Sequence, residues 1–174
     1  AKWDGNSYEL YFRCHDSMDI MSFAIPGIYI ADSTSLNLNI TPEGIMTTEM
    51  KSPRIAYREQ YMKGVNVAID NRNDKITGEL NCNEIRAASM MLMDSRFQIL
   101  AEDNHLGAAF SYENTGELLN RGEFVLVSDF DRKDEKLDID LELLPTSLHL
   151  NSREWNIEPS KIHISGKDID VESL

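Results

Sequence analysis

The chain has 174 residues and carries 30 acidic against 17 basic side chains, a formal net charge of −13. This charge argues against nucleic acid and against an anionic membrane surface as partners, because both need a basic footprint. Since 41% of the residues are hydrophobic, the composition is that of one globular domain rather than of a disordered chain.

Alternation of apolar and polar residues is the strongest signal along the chain. In a β-strand successive side chains point to opposite faces, so each alternating segment predicts a strand with one apolar and one polar side. The predicted strands lie, in chain order, at 35–41, 65–70, 76–82, 97–101, 106–112, 137–143, 148–150, 155–157, 162–164 and 169–171. Short polar turns separate them, which predicts one all-β domain built from antiparallel sheet.

One stretch, residues 83–93, allows two interpretations. Its alanines and methionines are compatible with a helix, whereas Ser89 to Met93 also suits a strand. We favour the strand, because the rest of the chain follows β periodicity.

Cys14 and Cys82 are the only cysteines, and neither belongs to a C-x-x-C pair. Zinc-ribbon and thioredoxin-type chemistry is therefore not expected. The two residues are either joined in one disulfide or present as two buried thiols, of which we favour the thiols.

Two groups of residues carry the side chains needed for catalysis or metal binding. Cys14, His15 and Asp16 are the residue types of a thiol triad, but adjacent side chains of an extended chain point apart. His149 and His163 occupy polar positions of two strands, and a metal would need a third ligand beside them. We therefore expect no catalytic residue, no metal site and no cofactor, and the chain is not expected to be an enzyme.

The carboxylates follow strand periodicity rather than the spacing of a site. Asp138, Asp140 and Glu142 alternate with apolar residues, which places them together on one outward face. The segments 70–74 and 129–131 lack the glycine and the final glutamate of an EF-hand loop. This acidic face is expected to provide solubility.

Aromatic residues fall mostly on the apolar side of the predicted strands, and the sequence pattern allows two roles for them. They either form the core of a closed β-sandwich, or they line an apolar surface that no second sheet covers. A closed sandwich would suit a binding module for a glycan or a protein ligand, whereas an open surface would suit acyl chains.

The last third of the chain resembles the TamB-type proteins of the AsmA-like family, found in the Gram-negative envelope. The resemblance rests on Leu-Pro-x-Ser-Leu-x-Leu-Asn at 144–151, then Trp155-x-Ile157, Pro159-Ser160 and Gly166 in a turn. Weaker similarity extends upstream to 31–38, 103–114 and 122–126.

The resemblance implies a long protein of the periplasm that is anchored in the inner membrane by an N-terminal helix. Its body would be a curved antiparallel sheet that forms an apolar-lined trough, the β-taco, and its C-terminal end would meet an outer-membrane barrel of the Omp85 class. The implied roles are phospholipid transfer between the membranes and outer-membrane protein assembly. Because the chain opens with Ala-Lys-Trp and shows no signal peptide, we expect residues 1–174 to be one all-β segment of that longer protein.

On this interpretation the alternating apolar residues line the trough and contact phospholipid or a nascent outer-membrane protein. The predicted lining residues are Leu36, Leu38, Ile40, Val65, Val67, Ile69, Leu148, Leu150, Trp155, Ile157, Ile162, Ile164, Ile169 and Val171.

Overall fold

The computed structural model describes residues 5–15, 25–88, 90–114, 119–133, 136–166 and 168–173 of the chain. These residues form fourteen β-strands and one 3-10 turn, Arg72–Asp74, which confirms the all-β prediction. The strands are β1 Tyr8–Arg13, β2 Ile28–Ile30, β3 Ser35–Ile40, β4 Met46–Tyr57, β5 Gln60–Asp70, β6 Ile76–Ala87, β7 Met90–Glu102, β8 His105–Asn114, β9 Asn120–Lys133, β10 Lys136–Leu143, β11 Thr146–Leu150, β12 Arg153–Ile157, β13 Ser160–Ser165 and β14 Asp168–Ser173.

All fourteen strands belong to one antiparallel sheet that is not closed. The main path runs β1-β3-β4-β5-β6-β7-β8-β9-β10-β13-β14, with β2 paired to β4 at the side. The sheet forks at β9, because the end of this strand pairs with β10 from Leu126 to Lys133 while Arg121 pairs with His149 of β11. The hairpin β11–β12 is therefore a side branch, and β13 returns to β10.

The sheet is a single layer. The chain exposes 12507 Å² of surface, whereas a compact protein of 19.8 kDa exposes about 8,600 Å². Only seven hydrophobic residues among the described ones are buried, far fewer than two packed sheets would enclose. The structure thus has the predicted open antiparallel sheet, and the alternative prediction of a closed sandwich is wrong.

Most of the buried residues form one row across the strands, called the buried row below. Each exposes between 1 and 5% of its surface, and most are small; they are Cys14, Thr34, Ser52, Val65, Cys82, Ser95, Tyr112 and Leu148. Direct contacts link the row from strand to strand, since Thr34 Oγ1 and Ser52 Oγ are 2.6 Å apart and Ser52 pairs with Val65.

The strand ladders are interrupted beside the buried row. The pairs that would join Pro53 to Gly64 and Asn83 to Asp94 are missing, although the register continues on either side. Gly64 and Asp94 have left-handed backbone conformations, with φ of 61° and 43°. Interrupted pairing beside a row of small, buried side chains is typical of a sheet that bends along one line.

The two cysteines are free thiols and lie in the buried row. Four strand spacings separate Cys14 from Cys82, about 19 Å, which is well beyond the reach of a disulfide. Cys82 Sγ lies 3.2 Å from the carbonyl oxygens of Lys63 and Glu84, and burial raises the pKa of its thiol. The preference for two buried thiols is confirmed.

The preference for a strand at 89–93 is also confirmed, with residue 89 outside the described part of the chain. Met90–Met93 form the start of β7 and pair with β6. Asn114 of β8 reaches across to this segment, where its side-chain oxygen accepts a hydrogen bond from the Met93 amide at 2.6 Å.

Candidate functional site

One face of the sheet, called the apolar face below, carries rows of hydrophobic side chains. Directly paired residues of neighbouring strands share a face, so each row can be traced through the register. The longest row without a polar residue crosses eight strands and consists of Phe12, Leu36, Met50, Val67, Leu80, Phe97, Phe110 and Phe124. The Phe110 and Phe124 rings stack with their centroids 6.5 Å apart.

Neighbouring rows extend this surface toward β14. One contains Leu10, Leu38, Thr48, Ile69, Gly78, Ile99, Ala108, Leu126, Leu143 and Ser160. In that row Gly78 leaves room for a larger partner, because a Cβ there would lie 2.6 Å from Ile99 Cγ1. Another row runs from Ile76 through Ala101, Leu106, Ser128, Leu141 and Ile162 to Val171.

All fourteen predicted lining residues lie on the apolar face. Leu36, Leu38, Ile40, Val67, Ile69, Ile162, Ile164, Ile169 and Val171 belong to its rows, and Leu148, Leu150, Trp155 and Ile157 extend it onto the β11–β12 branch. Ile169 and Val171 are the most open, at 65 and 64% exposure, because β14 is an edge strand. Val65 and Leu148 belong to the buried row, so they support this face but offer it almost no surface.

Sequence reasoning omitted several of the most prominent residues of the apolar face. Phe97, Phe110 and Phe124 are among the aromatic residues on the apolar side of their strands, but they are not among the fourteen predicted lining residues. Met50 alternates with Glu49 and Lys51, but the segment 46–52 was not among the predicted strands. The register of β4 with β3 and β5 places it in the longest row.

The opposite face is mostly polar, although Leu100, Val125 and Val127 also lie on it, and toward β14 it is strongly acidic. One row there contains His105, Asp129, Asp140, His163 and Asp170 on five successive strands. Elsewhere on this face ion pairs join Arg96 to Glu79, Lys75 to Glu102 and Lys161 to Glu142. The predicted outward face of Asp138, Asp140 and Glu142 is confirmed.

Within this acidic row His163 has a direct carboxylate partner. His163 Nδ1 lies 2.6 Å from Asp140 Oδ1, and this hydrogen bond raises the pKa of the imidazole, with smaller contributions from Asp138 and Asp170. A raised pKa in the folded state stabilises the fold below the unfolded pKa of about 6.5, and the contribution is lost as pH rises through the folded value.

The change Asp140→Asn should therefore lower the pKa of His163, which an NMR titration of the imidazole protons measures directly. Asp74→Asn, in the distant 3-10 turn, is the control and should leave that pKa unchanged. An unchanged titration in Asp140→Asn would contradict the assigned pairing.

The candidates for catalysis and metal binding are not brought together. Cys14 is buried and its amide donates to the Thr34 carbonyl at 2.8 Å, His15 is exposed, and Asp16 lies outside the described residues. His149 lies on β11 and His163 on β13, in different branches of the fork. Within the described ranges, no three His, Cys, Asp or Glu side chains are grouped as metal ligands.

Comparisons with protein-family models, with curated proteins and with solved structures find no match for this chain. In the part of the chain that the structure describes, no helix is long and apolar enough to span a membrane. The molecule is thus described by its architecture, which is an open, single-layer antiparallel sheet with one apolar and one polar face.

Proposed function

We propose that this chain is a periplasmic segment of a TamB-like protein whose apolar face holds the acyl chains of phospholipids during transfer between membranes. The observation that carries the proposal is the uncovered apolar face. Phe97, at its centre, is 39% exposed although it is flanked by apolar neighbours on both sides.

The size of the apolar face supports this proposal. Its longest row without a polar residue crosses eight strands, which at about 4.8 Å per strand is about 34 Å, longer than one acyl chain. Covering apolar surface gains roughly 0.8 kcal/mol for each buried CH₂ group, so a lipid tail and this face stabilise each other. No chemical step is required, which fits a role that is not enzymatic.

The resemblance in the last third of the chain supports the remaining parts of the proposal. It suggests an inner-membrane anchor and a contact with an Omp85-type barrel, both in other parts of a longer protein. The apolar side of a nascent outer-membrane strand is a second cargo that the same face would accept. The competing role as a sandwich-type binding module loses its basis, because the sheet is open.

Site-specific photocrosslinking tests the proposal. A benzophenone-bearing residue at Leu36 lies on the apolar face, and the same residue at Asn37 lies on the polar face of the same strand. With the chain expressed in a Gram-negative periplasm, we expect phospholipid adducts, detected by mass spectrometry, at Leu36 and not at Asn37. Equal labelling of both positions, or no lipid on either, would refute the proposal.

A further inference from the structure

The strand ends beyond the interrupted pairs form a short arm of the sheet, and one face of this arm carries both aromatic and basic side chains. One row across the arm consists of Tyr29, Ala56, Tyr61, Arg86 and Met91. The next row, two residues closer to the bend, consists of Arg54, Lys63, Glu84 and Met93. Because residues two positions apart in a strand share a face, the two rows form one surface, called the basic face below.

Direct contacts join the side chains at the centre of the basic face. The guanidinium carbon of Arg54 lies 4.7 Å from the centre of the Tyr61 ring and 6.0 Å from that of Tyr29. Lys63 Nζ lies 4.9 Å from the Tyr61 ring centre and 2.9 Å from Glu84 Oε2, while the Tyr61 hydroxyl donates to Glu84 Oε1 at 2.5 Å. These hydrogen bonds from Tyr61 and Lys63 lower the pKa of Glu84, so its carboxylate stays ionised and neutralises Lys63.

Two guanidinium groups of the basic face have no such partner. Arg54 and Arg86 are both exposed, and among the described residues neither takes part in a salt bridge. The β4–β5 turn beside Arg86 contains Arg58 and Glu59, whose charges cancel. The basic face therefore keeps an excess of positive charge in a chain of net charge −13.

The composition of the basic face is that of a protein interface. Tyrosine, methionine and arginine are the side chains enriched at the centres of such interfaces, and Tyr29 and Met91 are 36 and 51% exposed at the two ends of their row. A guanidinium held over an aromatic ring, as in Arg54, keeps N–H donors for a carboxylate.

The charge of the whole chain narrows the choice of an anionic partner. Its net charge of −13 repels an extended polyanion such as DNA or an anionic membrane. A short acidic segment responds mainly to charges within a Debye length of about 8 Å, where the basic face dominates. The favoured partner is therefore an acidic peptide.

We infer that the basic face binds an acidic segment of a protein partner. The carboxylates of this segment pair with Arg54 and Arg86, and its apolar side chains contact Tyr29 and Met91. The inference goes beyond the proposed function and does not depend on it, because the apolar row of the arm that contains Ile55 lies on the opposite face.

Peptide binding measured by fluorescence anisotropy tests the inference. The probe is a labelled peptide of Glu-Gly-Tyr-Gly repeats, and its control has glutamine in place of each glutamate. At low salt, we expect the glutamate peptide to bind about 3- to 10-fold more tightly than the glutamine peptide. The variant Arg54→Gln/Arg86→Gln should bind both equally, whereas Arg72→Gln/Arg121→Gln, which removes the same charge from exposed positions elsewhere, should keep the preference.

Thermal melts accompany the binding experiments, because Arg54 also contacts two rings. If the double variant does not fold, Arg86→Gln alone leaves those contacts in place and should lower the preference about 2- to 3-fold. No preference in the natural chain, or a preference that these substitutions leave unchanged, would overturn the inference. Tighter binding of single-stranded DNA or of phosphatidylglycerol vesicles than of the glutamate peptide would also overturn it, because the basic face would then be a general anion surface.

Discussion

Replacing Gly122 by alanine should destabilise the fold by about 1–3 kcal/mol, because the added methyl group has no room. A Cβ at this position would lie 2.8 Å from Leu148 Cβ and 2.9 Å from both Cε1 and Oη of Tyr112. Leu148 and Tyr112 are both buried, and a Cβ atom moves only with its backbone. The substitution therefore pushes the β11–β12 hairpin away from β9, where the sheet forks.

Chemical denaturation measures the loss, and hydrogen exchange locates it. We expect the amides of β11 and β12 to lose protection first, while β4–β7 retain theirs. Gly107→Ala is the matched control, since its new Cβ would lie 4.0 Å from the Leu100 carbonyl oxygen and should change the stability by less than about 0.5 kcal/mol. If Gly122→Ala were as stable as Gly107→Ala, the close packing of the β11–β12 hairpin against β9 would be contradicted.

Alternation of apolar and polar residues predicted most of the strands. In long strands such as β5 and β6, however, it predicted only the part on one side of the interrupted ladder. In β5 the apolar positions Val65, Val67 and Ile69 are odd, whereas beyond Gly64 the apolar Met62 is even. The same change of phase occurs in β4, β6 and β7, always where the ladder is interrupted. A periodicity of two residues cannot be followed through a backbone residue outside the β region, so the ends of β4, β5 and β6 beyond the interruption were not predicted as strands, whereas the corresponding end of β7 was.

The fork at β9 and the buried row result from pairing between strands that are distant in sequence, and a local residue pattern does not predict which strands pair. Leu144 and Pro145 separate β10 from β11, and they give no indication that β11 pairs with the first half of β9 while β13 returns to β10. Ser52, Ser95 and Thr34 look like ordinary polar strand residues. Only the register places them in one row on the apolar face, where small size matters more than polarity.

The existence of an apolar face could be predicted from the sequence, but the exposure of its individual residues could not. Each predicted lining residue follows from alternation alone, and the register then joins separate strands into continuous rows. Alternation does not tell an exposed apolar residue from a buried one, which is why Val65 and Ile169 received the same role although one is covered and the other open.

Two carboxylates placed on the apolar face should abolish the lipid binding proposed for it. Phe97 and Phe110 are direct partners on β7 and β8, so the double variant Phe97→Glu/Phe110→Glu puts a charged pair at the centre of the longest row. An acyl chain that covers this pair must remove water from both carboxylates, which costs several kcal/mol. We expect the affinity for a monomeric short-chain phosphatidylcholine to fall more than tenfold.

The register offers a control with the same change of charge on the same two strands. Gln98 and Ala109 are partners one residue further along and lie on the polar face, so Gln98→Glu/Ala109→Glu should leave the affinity within about twofold of the natural chain. Thermal melts of both variants separate a loss of binding from a loss of folding, because Phe110 also stacks on Phe124. Equal losses of affinity in folded samples of both variants would show that lipid does not distinguish the two faces. A selective loss of affinity in folded samples of the Phe97→Glu/Phe110→Glu variant would show that lipid binds on the apolar face.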